Sequence, residues 1–252
     1  WRPDAYSKAP IPVVALFSGA LLNVAFLAIL RFKAVTDIAI GPEFSSKLLM
    51  FFGLISIVAA ALNIFGQKNY KRLLAYSSIE HAGIMALGFG FGGAGAFAAI
   101  LHMVYHALAK SILFLSAGNI FLKYSSTKMV NVGGLLRVLP ATSVLFFIGF
   151  LAATGVPPFG IFLTEFSILA SGIGSHPVFA SLALLGMTMV FIGFLKHILA
   201  ILFGNIPSGI EAGEMGSWTL APIFLLAGAL VVLSLFVPQP LMSLIISATS
   251  IY

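Results

Sequence analysis

Long apolar runs follow one another along this chain, separated only by short polar connectors, and that pattern excludes most folds before any motif is read. The runs cover about residues 13–30, 48–65, 73–91, 95–122, 138–151, 159–173, 178–203 and 220–237. A spanning helix needs about 20 mostly apolar residues. The expected fold class is therefore an all-α polytopic membrane protein with about eight transmembrane helices. Residues 241–252 are apolar but too short to span alone. Composition agrees: hydrophobic residues make up 60% of the 252, charged residues 8%, and mean hydropathy is +1.12. Soluble domains carry about 25% charged residues.

The 13 basic against 7 acidic residues give a net charge of +6. Most basic groups fall between apolar runs, where placement at the membrane interface explains them without nucleic acid. With no cysteine, the chain holds no disulfide, thiolate metal site or iron–sulfur cluster. No connector is long enough for a soluble domain, so no cofactor is expected in this chain and any redox chemistry belongs to partner chains. Trp1-Arg2-Pro3-Asp4-Ala5 is not a signal peptide, and a start at Trp1 suggests a piece of something longer.

The ionisable residues inside the runs carry the functional information. His102, His106 and Lys110 are spaced by four, so on a helix they form one stripe about 12 Å long. Each such group costs on the order of 2.5–3.5 kcal/mol to insert into hydrocarbon. Proton relay fits the stripe; interhelical hydrogen bonding is the bland alternative. A metal site is disfavoured, because lysine is a poor ligand and no carboxylate or thiol is adjacent in sequence. Glu165 lies in an apolar helix, either as a neutral acid fixing packing or as a proton carrier. Lys71, at the end of a run, reads as a snorkelling interface anchor. Glu80 and His81 fall mid-helix and point about 100° apart, so at most one faces a given cavity squarely. Lys196 and His197 fit either interior pairing or an anchor at the helix end, while Arg31, Lys33, Lys123, Lys128 and Arg137 are expected at the interface. Gly155-Val156-Pro157-Pro158-Phe159-Gly160 interrupts two apolar stretches five residues before Glu165. Such breaks persist at membrane depth only where protein or a wet cavity satisfies the freed backbone, a recurring device at transport sites.

These residues, in this order, resemble the antiporter-like subunits of respiratory complex I, Mrp antiporters and membrane-bound hydrogenases. Trp1-Arg2-Pro3-Asp4-Ala5 with Ala9-Pro10 is similar to that family's Trp-Leu-Pro-Asp-Ala…Ala-Pro signature. Lys71-Arg72-Leu73-Leu74-Ala75-Tyr76-Ser77-Ser78 with His81, the His102/His106/Lys110 stripe, and the Gly155–Gly160 break with Glu165 match further motifs. Two stretches, Ser77 to Ile84 and His106 to Asn119, look most like the hydrogenase-4 branch of the family, its component F and formate-hydrogenlyase-type relatives.

The resemblance implies about fourteen helices built on inverted repeats of about five, with this chain carrying the seventh to the last. Residues 1–72 would end the first repeat, 73–204 would form the second, broken near 155–160, and 205–252 would be a C-terminal helix and tail. Lys71 would become the bridging lysine between half-channels, displacing the anchor reading. His81, His106 and Lys110 would lie on a central polar axis, and Glu165 would be the exit-side carrier. Asn23 departs from the family pattern, standing where complex I relatives usually have lysine, and an amide carries no proton reversibly.

The leading expectation is thus a non-catalytic, proton-translocating subunit of an energy-converting redox complex in the cell (inner) membrane. Its partners would be the lipid bilayer, membrane subunits supplying the absent N-terminal helices, and a peripheral hydrogenase or related arm. A sodium–proton antiporter of the Mrp kind, a complex I subunit, and a structural anchor without transport are the alternatives.

Overall fold

The computed structural model describes residues 1–249, and all of their regular structure is helical. A short helix α1 (Arg2–Lys8) leads through Ala9-Pro10 into α2 (Ile11–Leu16). A π turn, Phe17–Leu21, continues it into α3 (Leu22–Ile40), giving one unbroken path from Ile11 to Ile40. Gly41, at φ 89°, turns the chain, and Pro42 opens α4 (Pro42–Ile64) at a position where its missing N–H costs nothing. Next come α5 (Tyr70–Phe91), α6 (Gly93–Tyr124), the one-turn α7 (Leu135–Val138), α8 (Pro140–Ala153) and α9 (Gly160–Ser175). The order ends with α10 (Pro177–Phe203), α11 (Ser217–Leu235) and α12 (Gln239–Thr249). The tail reading of 205–252 reaches past the described residues at positions 250–252.

All eight expected runs are helical. Among the described residues, Ile11–Ile40, Pro42–Ile64, Gly93–Tyr124, Pro177–Phe203 and Ser217–Leu235 are each long and apolar enough to cross a membrane alone. The helix α5 is long enough at 22 residues but carries Lys71, Arg72, Glu80 and His81. With 14 and 16 residues, α8 and α9 are too short to span singly. They run end to end in one direction. Thr142, near the start of α8, meets Asn119 near the end of α6, while Gly172 of α9 packs on Phe91 at the end of α5. The two half-helices therefore make one crossing, interrupted at the expected Gly/Pro break.

Enclosure of α5 positions the site. It packs against α1, α4, α6, α9 and α10, and 17 of its 22 residues are buried. Close approach depends on small residues. A Cβ on Gly53 of α4 would lie 2.8 Å from the Gly83 carbonyl oxygen of α5, so the two backbones nearly touch. Asn69 caps α5, its Oδ1 accepting from the amides of Lys71 (2.9 Å) and Arg72 (3.2 Å). Glu214, from the connector before α11, does the same for α8 by accepting from the Thr142 amide at 3.0 Å and the Thr142 hydroxyl at 2.7 Å.

Candidate functional site

The row of titratable side chains lies where α5, α6 and α9 meet. His102, His106 and Lys110 do share one face of α6, and all three are fully buried. Lys110 Nζ donates to Ser77 Oγ and sits 3.5 Å from the Leu74 carbonyl oxygen, both on α5. The His81 ring lies between the other two imidazoles, with ring centres 5.0 Å from His106 and 5.2 Å from His102. Glu165 Oε1 approaches His81 Nδ1 at 3.8 Å.

Hydrogen-bond direction in the histidine pair follows from one hydroxyl. Thr164 Oγ1 gives its single proton to the Ile161 carbonyl oxygen at 2.9 Å. It can then only accept from His102 Nδ1, also at 2.9 Å. A neutral His102 so held carries its proton on Nδ1 and presents a bare Nε2. His81 Nδ1, 3.0 Å away, must donate to it. A neutral His81 then has no proton on Nε2. Neither ring nitrogen of His106 has a protein hydrogen-bond partner.

Backbone geometry seats the carboxylate. Gly155, at φ +62°, packs so tightly on Glu165 that an added Cβ would clash with Oε2. The surrounding break is satisfied internally: the Gly155 amide donates to Ala152 O, Val156 to Leu151 O, and the Gly160 amide to Ser234 Oγ of α11 at 2.9 Å.

Several expected residues sit differently. Lys71 is buried at the first turn of α5, with Nζ donating to the Ala9 carbonyl oxygen at 2.8 Å, and it makes no hydrogen bond to the row. Glu80 and His81 are both buried, because helices surround α5 on several sides and no single cavity face exists for them to compete for. Glu80 interacts electrostatically with Lys110 and Glu165. Asn23 of α3 donates to the Met103 carbonyl oxygen at 3.4 Å, while its Oδ1 is buried without a partner. Lys196 and His197 are not fully buried, and His197 Nε2 lies 3.2 Å from Ile64 O, so the fold keeps both outside the row. Lys33, expected at the interface, is instead buried against Asp37 at 2.5 Å.

Three participants had no role assigned from the sequence, although Arg2 and Ser77 fall within the matched motifs. Ser77 and Thr164 are hydroxyl residues in apolar helices, and only their neighbours across space give them partners. Arg2 donates to the Ser78 carbonyl oxygen at 3.3 Å and acts electrostatically on His106 and Lys110. It stands where the resembled signature has leucine. The fold also supplies a carboxylate that the sequence lacked beside the His102/His106/Lys110 stripe: ligand atoms of His81, His102 and Glu165 lie within 4.8 Å of one another. Within that group, His81 Nδ1 lies 3.0 Å from His102 Nε2 and 3.8 Å from Glu165 Oε1, a geometry that allows proton exchange between them.

Comparison with known proteins agrees with this architecture. The family model described as NADH:quinone oxidoreductase/Mrp antiporter, transmembrane, matches residues 1–193. A hydrogenase-4 component F homologue of Methylacidiphilum infernorum is 38% identical over 206 residues, covering 81% of this chain and 43% of that protein. Subunit M of the Escherichia coli NADH-quinone oxidoreductase is 32% identical over 248 residues, covering 96% and 48%. The chain thus spans about half the length of these relatives. Among solved structures, a chain of the archaeal membrane-bound sulfane sulfur reductase superposes with a TM-score of 0.89 at 29% identity, covering 100% of this chain and 51% of that one. A chain of Thermus thermophilus respiratory complex I gives 0.72 at 26%, covering 84% and 46%. The Mrp complex of Dietzia sp. shares the fold at 0.82 and 22% identity, covering 100% and 55%. The chain belongs to the NADH:quinone oxidoreductase/Mrp antiporter family of membrane subunits.

Proposed function

We propose that this chain is the proton-translocating part of an energy-converting redox complex, moving protons along Lys71, Lys110, His106, His81, His102 and Glu165. The observation that carries the reading is the burial of Lys110 and three imidazoles at one helix junction, with the half-buried Glu165 carboxylate beside His81 and an internally consistent hydrogen-bond direction. Ionisable groups inside a membrane are expensive, and their usual compensation is mutual pairing along a proton or ion pathway. A proton leaving Lys110 enters the histidine cluster through His106. His81 takes that proton on its bare Nε2 and releases its Nδ1 proton to His102 Nε2 or to Glu165, whose Oε1 lies 3.8 Å from Nδ1, so the ring returns to neutral. Arg2, always charged, acts on the Lys110 end and opposes accumulation of a second positive charge there.

The complex is of the [NiFe]-hydrogenase or formate-hydrogenlyase type in this proposal, a reading supported by the 38% identity to the hydrogenase-4 component F homologue. A second reading, a quinone-reducing complex, draws on the 32% identity to subunit M over 96% of the chain. The peripheral arm that copurifies separates them. Glu165→Gln tests the shared mechanism: in vesicles holding the intact complex, proton pumping disappears while electron transfer to artificial acceptors continues. Pumping at wild-type rate in that variant would falsify the relay.

A further inference from the structure

A cavity of about 590 Å³ lies away from the histidine junction, where the α1–α2 linker, the start of α5, the last turns of α6 and the start of α11 come together. Its lining is graded by depth. Lys8, Lys71 and Thr127 lie in or beside connectors, at the end of the bundle where α5 begins and α6 ends. Leu115, Phe121 and Leu122 follow along α6 towards the bilayer interior. Phe121 and Leu122 are 40% and 53% exposed, so the apolar part opens at the surface of this chain.

Basic residues outnumber acidic ones at this end, and the acid joined to the lining through Asn119 and Thr142, Glu214, is engaged as the cap of α8. The lining contains no carboxylate among the described residues, and nearby Asp4 is already paired with Arg72. Lys68, Lys123, Lys128 and Arg137 lie at the same end of the bundle. Lys8 is exposed, and Lys71 commits one ammonium hydrogen to Ala9 while the rest of its donors remain. Basic pockets between membrane helices recognise anionic headgroups, because a fixed positive charge at headgroup depth attracts the phosphate.

We infer that this cavity seats one anionic phospholipid, its phosphate between Lys8 and Lys71 and one acyl chain laid along Leu115, Phe121 and Leu122. The cationic end draws the phosphate, and the graded wall sets its depth. A zwitterionic lipid has the chain but lacks net charge, so it is held less tightly. The seat stands on shape and charge alone and does not require the proton reading.

The test uses the intact complex purified from its membrane and reconstituted in phosphatidylcholine with phosphatidylglycerol as the minor component. After extensive detergent washing, lipid mass spectrometry counts retained molecules. Wild type keeps phosphatidylglycerol in preference to phosphatidylcholine. Lys8→Glu, at an exposed position, and Leu122→Trp, which fills the groove, each lose one retained phosphatidylglycerol per copy of this chain. Lys47→Glu, exposed at the opposite end, loses none. Equal retention of both lipids, unchanged retention in Lys8→Glu, or no retained lipid because a partner segment fills the groove would each overturn the assignment. Unaltered elution of every variant on size exclusion separates loss of lipid from loss of fold.

Discussion

One threonine hydroxyl polarises the histidine pair. Because Thr164 spends its proton on Ile161, it holds His102 in a single tautomer and makes His81 the donor. Thr164→Val removes that acceptor and leaves a buried N–H unpaired, at a cost of about 1–3 kcal/mol. Proton flux through the reconstituted complex is expected to fall by about tenfold, since about 1.4 kcal/mol in a barrier is a factor of ten. Thr164→Ser should restore most of it, an outcome that a purely steric role for the methyl group does not give. Gly155 acts on the same groups from the backbone side. Gly155→Ala drives a methyl against the Glu165 carboxylate and strains a positive φ, so flux is expected to drop as far as in Glu165→Gln. The partnerless nitrogens of His106 make a third expectation. A high-resolution map of the complex resolves ordered water against them, because buried polar groups without protein partners are normally hydrated.

At the level of elements, the interrupted α8–α9 path is held at three points. Glu214 caps the start of α8, the internal turn hydrogen bonds span the break, and Ser234 of α11 accepts from the first amide of α9. The Glu214 cap couples a surface connector to a helix that leads directly to the break. Glu214→Ala is expected to lower stability by about 0.5–2 kcal/mol, as loss of a helix cap does. Thermal unfolding of the purified complex, followed by release of this chain, checks the size of the effect. No change in the midpoint would mean that water replaces the carboxylate at no cost.

For the whole molecule, charge sets orientation. The end carrying Lys8, Lys68, Arg72, Lys123, Lys128 and Arg137 has only Asp4, Glu211 and Glu214 against them among the described residues. At the other end, Lys33 and Lys47 are each paired with an acid four residues away. Positive charge concentrates in cytoplasmic connectors, so the lysine-rich end is expected to face the cytoplasm. The absence of cysteine from the sequence makes the measurement direct. A membrane-impermeant maleimide applied from outside the cell should label Lys47→Cys and spare Lys128→Cys; the reverse labelling would invert the topology.

Amino-acid order alone determined the helical membrane class, the segments and the break at 155–160, because hydrocarbon admits only backbone that satisfies itself within long apolar runs. It likewise placed His102, His106 and Lys110 on one stripe, since helical periodicity is a local property. Only tertiary structure decided that His81 enters between those imidazoles, that Thr164 and Ser77 complete the hydrogen bonds, and that Lys196 and His197 stay outside. It also decided that α8 and α9 together make one crossing. Each of those outcomes depends on which helix faces which across space. His81 and His102 stand 21 positions apart in the chain, and Gly160 and Ser234 stand 74 apart. Periodicity cannot reach so far, because the information lies in the packing of one helix surface on another.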